Sequence, residues 1–236
     1  MAASADLADL PPRRRWIAIK VGATTLTGPA AAAMLLVVLG LLAALLIWIR
    51  PTIRMSLSGA LWIVFIGYWS AAARNVAPTE SAESPASRAV HTRLLNGSLL
   101  LLFVPVPGLR ARFLPLGPLV VAAGLILQSS CFLLAVWARR SLGRNWSGAV
   151  AVAVDHQLVR SGPYRVVRHP IYSAMLGMYV GTGLVSGELH ALLALALVAG
   201  AYWRKIPLEE RTLGQVFGPA YEAYRRDTWA LIPGLL

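Results

Sequence analysis

Two short stretches hold most of the residues able to do chemistry in this chain. The first, "RSGPYRVVRHPIY" (Arg160 to Tyr172), sets Arg165, Arg168, His169 and Tyr172 against the start of an uncharged apolar run. The second, "RKIPLEERTLGQVFGPAYEAYRR" (Arg204 to Arg226), sets two adjacent carboxylates, Glu209 and Glu210, between arginines and ahead of Tyr221 and Tyr224. Proline is favoured at the first helical position, so Pro170 predicts a helix start with Arg168 and His169 just outside it. Free backbone N–H groups and the positive dipole end make such a place attractive to a carboxylate or phosphate. Pro207 reads as a second helix start, with Glu209 and Glu210 in its first turn, where carboxylates complement the dipole. A carboxylate there would hold an ammonium while an arginine holds a carboxylate, gripping both ends of an amino-acid moiety. The plainer alternatives are basic anchors that snorkel to lipid headgroups, a solvated helix-start acid, and an interfacial aromatic belt for the tyrosines.

The elements that must position these residues are read from hydrophobic runs. The chain has 236 residues, 57% of them hydrophobic and 14% charged, far from the soluble average. Ala30–Ile49, Met55–Ala73 and Phe113–Ala138 each reach the roughly 20 residues needed to cross about 30 Å of hydrocarbon. Ala30–Ile49 is too long for a signal-peptide core and no small-residue cleavage site follows it, so a retained transmembrane helix is expected. Ile171–Gly187 and Leu189–Trp203 predict a tight helical hairpin, and Leu94–Pro107, with Asn96, Gly97 and two prolines, is the weakest candidate span. The Pro/Ser/Ala-rich stretch Asn75–Thr92 predicts a mobile loop. The expected class is all-α: a polytopic membrane protein of about five to six spans, with a scaffold at 1–138 and the chemistry at 139–236. A hairpin returns the chain to the face it left, so the polar segments Arg139–His169 and Arg204–Leu236 must share one side of the membrane. Leu213 and Phe217, four apart, are expected to pack, and Gly218-Pro219 to break the helix. His156, after Asp155, is either a hydrogen-bonded loop residue or a ligand-facing one.

The net charge of +12 does not point to nucleic acid. With six crossings, eighteen of the twenty-two Lys and Arg fall on one side and four (Arg50, Arg54, Arg110, Arg112) on the other, the asymmetry that orients membrane proteins. Two lysines against twenty arginines, in an Ala/Leu-heavy chain, fit a high-GC prokaryote, hence a bacterial inner membrane with the chemistry facing the cytoplasm. The single Cys131 lies in a span and forms no intrachain disulfide, and the four histidines lack metal-ligand spacing, so no metal is expected.

In order around the hairpin, "LGRNWS", "DHQLVRSGPYRVVRHPIY" and "EERTLGQVFGPAYEAY" resemble the isoprenylcysteine carboxyl methyltransferase family over roughly Ser141 to Pro233. The resemblance implies an integral membrane enzyme using S-adenosylmethionine without the soluble Rossmann fold. It implies a cofactor pocket of His169, Tyr172, Glu209 and Glu210, with Arg168 and Tyr221 nearby, and with His156, Leu158 and Tyr164 from the element leading into and including the Gly-Pro-Tyr turn. A carboxylate acceptor needs no base, only desolvation and a cationic guide from Arg165, Arg168 or Arg204. With Glu210, Arg168 and Arg204 make the catalytic set. The acceptor would be a lipophilic small molecule or prenylated substrate entering from the bilayer. Three other readings compete: N-methylation of a phospholipid of the phosphatidylethanolamine type, where Glu209 or His169 would take the amine proton; a sterol-reductase-like NADPH enzyme sharing an "RHPNY"-like element; and a non-catalytic membrane scaffold.

Overall fold

The computed structural model describes residues 18–21, 24–27, 33, 36–37, 51–74, 79–81, 83–104, 106–146, 151–153 and 157–235. The expected span Ala30–Ile49 lies almost entirely outside them, and so does His156. The described helices are α1 Pro51–Ala72, α2 Pro85–Phe103, α3 Pro118–Leu142, α4 Pro170–Ser186, α5 Leu189–Phe217 and α6 Pro219–Arg226. Three of them contain stretches long and apolar enough to cross a membrane: Arg54–Ala72, Pro118–Leu142 and Leu189–Phe217. The expected helical class therefore holds. Two small antiparallel ladders add to it, β1 (Ala18–Val21) with β2 (Thr24–Thr27) and β3 (Thr79–Ser81) with β4 (Ala151–Ala153).

Proline opens α1, α2, α3, α4 and α6, at the position where its missing N–H costs nothing. The hairpin forms as expected. Gly187 caps α4 in the left-handed conformation (φ 69°), its N–H donating to Gly183 O, and α5 starts two residues later. Gly218 (φ 51°) separates α5 from α6.

Two expectations are corrected. Pro207 does not open a helix: it lies inside α5, which runs unbroken for 29 residues. An interior proline removes one backbone bond and costs roughly 3 kcal/mol. Here the following turn carries Glu209 and Glu210 to Tyr172, His169 and Arg168 at the start of α4. The second correction concerns Asn75–Thr92. Its last eight residues are helical, because Ser84 caps α2 by accepting from Ser87 N, and Pro85 takes the first position.

Of the weak candidate Leu94–Pro107, residues 94–103 are the second half of a longer helix that ends at Phe103. The two ends of α2 touch the middle and the start of α5: Glu83, before the first turn of α2, pairs with Lys205, and Leu101 O in its last turn meets His190 Nδ1. Helix α2 therefore traverses the bundle antiparallel to α5. Helices α1 to α5 alternate in direction, so the polar residues around 160–169 and 204–231 gather at one end.

The bundle is held by a core of Trp62, Phe65, Leu102, Ala135, Ala174, Met178, Tyr179, Val198 and Tyr202. Helices α3 and α4 make the closest contact. A Cβ on Gly181 would lie 2.7 Å from Gly124 O, and one on Gly124 would lie 2.7 Å from Gly181 O. Small residues that let backbones touch, and polar residues bonded across helices, are the usual adhesive where lipid removes the hydrophobic drive. The polar part lies beside the glycines. Ser58 Oγ donates to Gln128 Oε1 (2.8 Å), Gln128 Nε2 donates to Ser58 O (3.0 Å), and Trp62 Nε1 donates to Thr182 Oγ1 (3.0 Å).

Candidate active site

At the polar end, α4 and the far half of α5 bring the two sequence stretches into contact. Arg168 Nε donates to Glu210 Oε1 at 2.7 Å. His169 stands between both carboxylates, Nε2 at 3.3 Å from Glu210 Oε1 and Nδ1 at 3.4 Å from Glu209 Oε2. Tyr172, in the first turn of α4, donates its hydroxyl to Glu209 Oε1 at 2.5 Å. Its ring lies in a stack, 5.5 Å from His169 on one side and 4.3 Å from Tyr202 on the other. The exposed Arg225 adds a third cation, 3.4 Å from Glu210 Oε2.

Several causes act on the His169 proton. Burial works against the charged ring. Hydrogen bonds and charge from Glu209 and Glu210 outweigh it, raising the imidazole above its ordinary value. Burial pushes the Tyr224 phenol up to about 12, so it remains a neutral donor, to Tyr164 O at 2.8 Å.

The backbone amides expected to be free before α4 are taken. Arg168 N donates to Trp229 O (2.8 Å) and His169 N to Ala230 O (3.0 Å), while Val167 and Trp229 form a parallel bridge. Arg168 also reaches the carbonyls of Arg225 and Thr228, and Ser173 Oγ donates to Leu231 O (2.6 Å). The segment after α6 therefore seats itself as a short edge on the 166–169 turn. The negative charge facing Arg168 and His169 belongs to the side chains of Glu209 and Glu210.

A cavity of about 470 Å³ opens above this cluster. Its polar end is lined by Leu158, Tyr164, Arg168, His169, Glu209, Leu213, Tyr221 and Tyr224. Its apolar end is lined by stripes from three helices: Trp62, Phe65 and Trp69 of α1; Leu95 and Leu99 of α2; and Met175 and Tyr179 of α4. Each stripe follows the helical repeat of three or four residues. Among the sequence candidates, Tyr172 and Glu209 line the cavity and Glu210 sits just behind Arg168 and His169. Arg204 lies outside the lining: its Nη2 donates to Ser87 Oγ at 2.7 Å, tying α5 to α2. Arg165 is exposed.

Sequence reasoning missed the α1 and α2 stripes and also His91 and Lys205, both buried cavity-lining residues. An i, i+3, i+7 aromatic spacing at Trp62, Phe65 and Trp69 was visible, but nothing marked it as facing a cavity rather than a core. Two buried polar atoms in the wall, His91 Nδ1 and Tyr221 Oη, have no hydrogen-bond partner among the described residues. Buried polar atoms are nearly always satisfied, so both positions can take a bond from water or from a ligand group.

Comparison with known proteins meets the family resemblance read from the motifs. Residues 119–220 match the phospholipid methyltransferase family profile. A probable protein-S-isoprenylcysteine O-methyltransferase of Oryza sativa subsp. japonica is 34% identical over 94 residues, which is 39% of this chain and 49% of that protein. The protein-S-isoprenylcysteine O-methyltransferase of Schizosaccharomyces pombe is 35% identical over 94 residues, 39% of this chain and 40% of that protein. The cobalt-zinc-cadmium resistance protein CzcN of Cupriavidus metallidurans is 35% identical over 97 residues, 40% of this chain and 44% of that protein. The chain thus spans about half the length of the curated relatives it matches. The fold is shared with the structure of a eukaryotic intramembrane Ras methyltransferase, an isoprenylcysteine carboxyl methyltransferase: TM-score 0.54 and 22% identity over 87% of this chain and 75% of that one. From α3 to the start of α6 this chain matches the phospholipid methyltransferase profile, and in that region it is similar to the isoprenylcysteine O-methyltransferases.

Proposed function

We propose that this protein is an integral membrane methyltransferase that uses S-adenosylmethionine to esterify a lipophilic carboxylate of the isoprenylcysteine type. One observation carries the reading: a single cavity whose floor is ionic and whose walls are aromatic and aliphatic. A water-soluble donor and a lipid-soluble acceptor need a meeting place of that kind.

The residues at the polar end fit the donor. The carboxylates of Glu209 and Glu210 and the guanidinium of Arg168 offer complementary charge to an amino-acid moiety, and the Tyr221 hydroxyl, without a partner among the described residues, offers one more bond. When bound, S-adenosylmethionine would supply an electrophilic methyl group on a sulfonium. The chain then has little chemistry to do beyond holding the two partners in line, which is where proximity and orientation lower the barrier. The stack of His169, Tyr172 and Tyr202 fixes the floor. The stripes on α1 and α2, with that on α4, would hold the tail and exclude water from the acceptor carboxylate, which supports an acceptor role for the region before residue 139. The basic excess at the catalytic end supports a cytoplasmic orientation, in a bacterial inner membrane.

Phospholipid N-methylation stands as the second reading, because the matching profile is that of the phospholipid methyltransferases. An ammonium acceptor must lose a proton. The candidate bases, Glu209 and His169, are both engaged in the ion-pair cluster, which favours a carboxylate acceptor. The test is purification in mild detergent, binding of S-adenosylhomocysteine, and transfer of labelled methyl to prenylcysteine carboxylates and to aminophospholipids. Base-labile label on the carboxylates supports the reading; label on headgroup nitrogen, or no cofactor binding, overturns it.

A further inference from the structure

Lys205 is 2% exposed, lines the cavity, and lies one helical turn before Glu209 on α5, between the ionic floor and the apolar walls. Its Nζ pairs with Glu83 Oε2 at 3.8 Å, and Glu83 is itself buried, just before α2. Glu83 comes from outside the family-matched region 119–220 and does not line the cavity. Ser87 Oγ donates to Glu83 Oε1 at 2.7 Å and accepts from Arg204 Nη2 at 2.7 Å, so two consecutive cations of α5 clamp the first turn of α2. His91, one turn beyond Ser87 on α2, adds to the cavity wall an Nδ1 with no hydrogen-bond partner among the described residues.

A buried cation must stay compensated, because an unpaired one in a dry site is strongly unfavourable. A neutral or cationic acceptor head beside Lys205 leaves the Glu83 pair as it is and gains nothing from it. An anionic head can replace Glu83 as partner of the ammonium, and the displaced Glu83 carboxylate keeps the bond from Ser87 Oγ, which Arg204 in turn supports. That exchange also puts the anionic head one helical turn from the cluster where the methyl donor is proposed to bind.

Resting on the methyltransferase reading, we propose that Lys205 is the specificity residue for an anionic acceptor head, and that Glu83 is a built-in carboxylate occupying that seat until the acceptor displaces it. The acceptor class is then a lipid-tailed molecule whose reacting head is a carboxylate.

The test uses the full-length protein in detergent with S-adenosylhomocysteine bound, and two probes: N-acetyl-S-farnesylcysteine and its neutral carboxamide. Wild type is expected to bind the carboxylate at least tenfold tighter than the carboxamide. Lys205→Gln should erase that preference, leaving carboxamide binding unchanged. Glu83→Gln should tighten carboxylate binding several-fold, again without effect on the carboxamide. Because either single change disturbs a buried pair, the double variant Glu83→Gln/Lys205→Gln supplies the control: it removes both charges together and should fold, bind S-adenosylhomocysteine as wild type does, and show no preference. Equal binding of the probes by wild type, equal weakening of both by Lys205→Gln, weaker carboxylate binding in Glu83→Gln, or no carboxylate binding at all would overturn the inference. If S-adenosylhomocysteine binding persists in those cases, the methyltransferase reading survives; its loss in wild type sinks that reading instead.

Discussion

The guanidinium of Arg168 and the carboxylate of Glu210, 42 residues apart in sequence, meet at 2.7 Å with both side chains nearly closed to solvent. Removing one charge of such a pair leaves the other uncompensated, at a cost of roughly 3–5 kcal/mol. Glu210→Gln is expected near the lower bound, because Arg168 keeps carbonyl partners at Arg225 and Thr228. Thermal unfolding in detergent reads the loss of stability, and titration with S-adenosylhomocysteine should show at least tenfold weaker binding.

His169 gives the site a pH dependence of known sign. Its folded-state value is raised, so the imidazolium–carboxylate contribution is complete below about pH 6.5 and is lost as pH rises through the raised value. Stability should fall over that interval in wild type, and His169→Gln should flatten the profile. Unfolding midpoints from pH 6 to 9 decide.

Tyr172→Phe keeps the ring stack with His169 and Tyr202 and deletes only the hydroxyl donated to Glu209. A hydrogen bond to a charged group contributes about 1.5–3 kcal/mol. The expected result is a folded protein with cofactor affinity reduced about tenfold or more, measured by the same titration.

Leu99→Trp should fill part of the apolar end of the cavity without touching the ionic floor. The KM for a prenylated acceptor is expected to rise severalfold while S-adenosylhomocysteine affinity stays at the wild-type value. A matching loss of both would mean the two ends are not separate subsites.

Gly181→Val places side-chain atoms against Gly124 O and the Gln128 backbone. Overpacking at a backbone contact costs about 1–3 kcal/mol, and here it also strains the bonds joining Ser58, Gln128, Trp62 and Thr182. A lowered unfolding midpoint is expected, with activity falling in proportion to folded protein.

The hairpin and its two flanking polar stretches were legible because uncharged runs, a glycine turn and ordered motifs are local signals. The meeting of His169 with Glu209 and Glu210 followed from topology alone. Helix α2 was only half visible, since Arg88, His91 and Arg93 break the apolar pattern used to find spans. Those residues sit in the first half of the helix, near the polar end of the bundle. Pro207 misled because local propensity favours a start there, whereas the contacts of Glu209 and Glu210 with α4 favour continuation. Glu83 with Lys205, and the edge at 228–231, depend on long-range pairings that leave no periodic trace.

That edge imposes an uneven tolerance on the chain. Arg168 and His169 are recognised through the carbonyls of Trp229 and Ala230, and Ser173 through that of Leu231, so side-chain identity at those three positions contributes little to the docking. Spacing is another matter: adding or deleting one residue between Tyr224 and Trp229 would slide the carbonyls out of step and uncouple Arg168 from its support. Drift by substitution is permitted there, and drift by insertion is not.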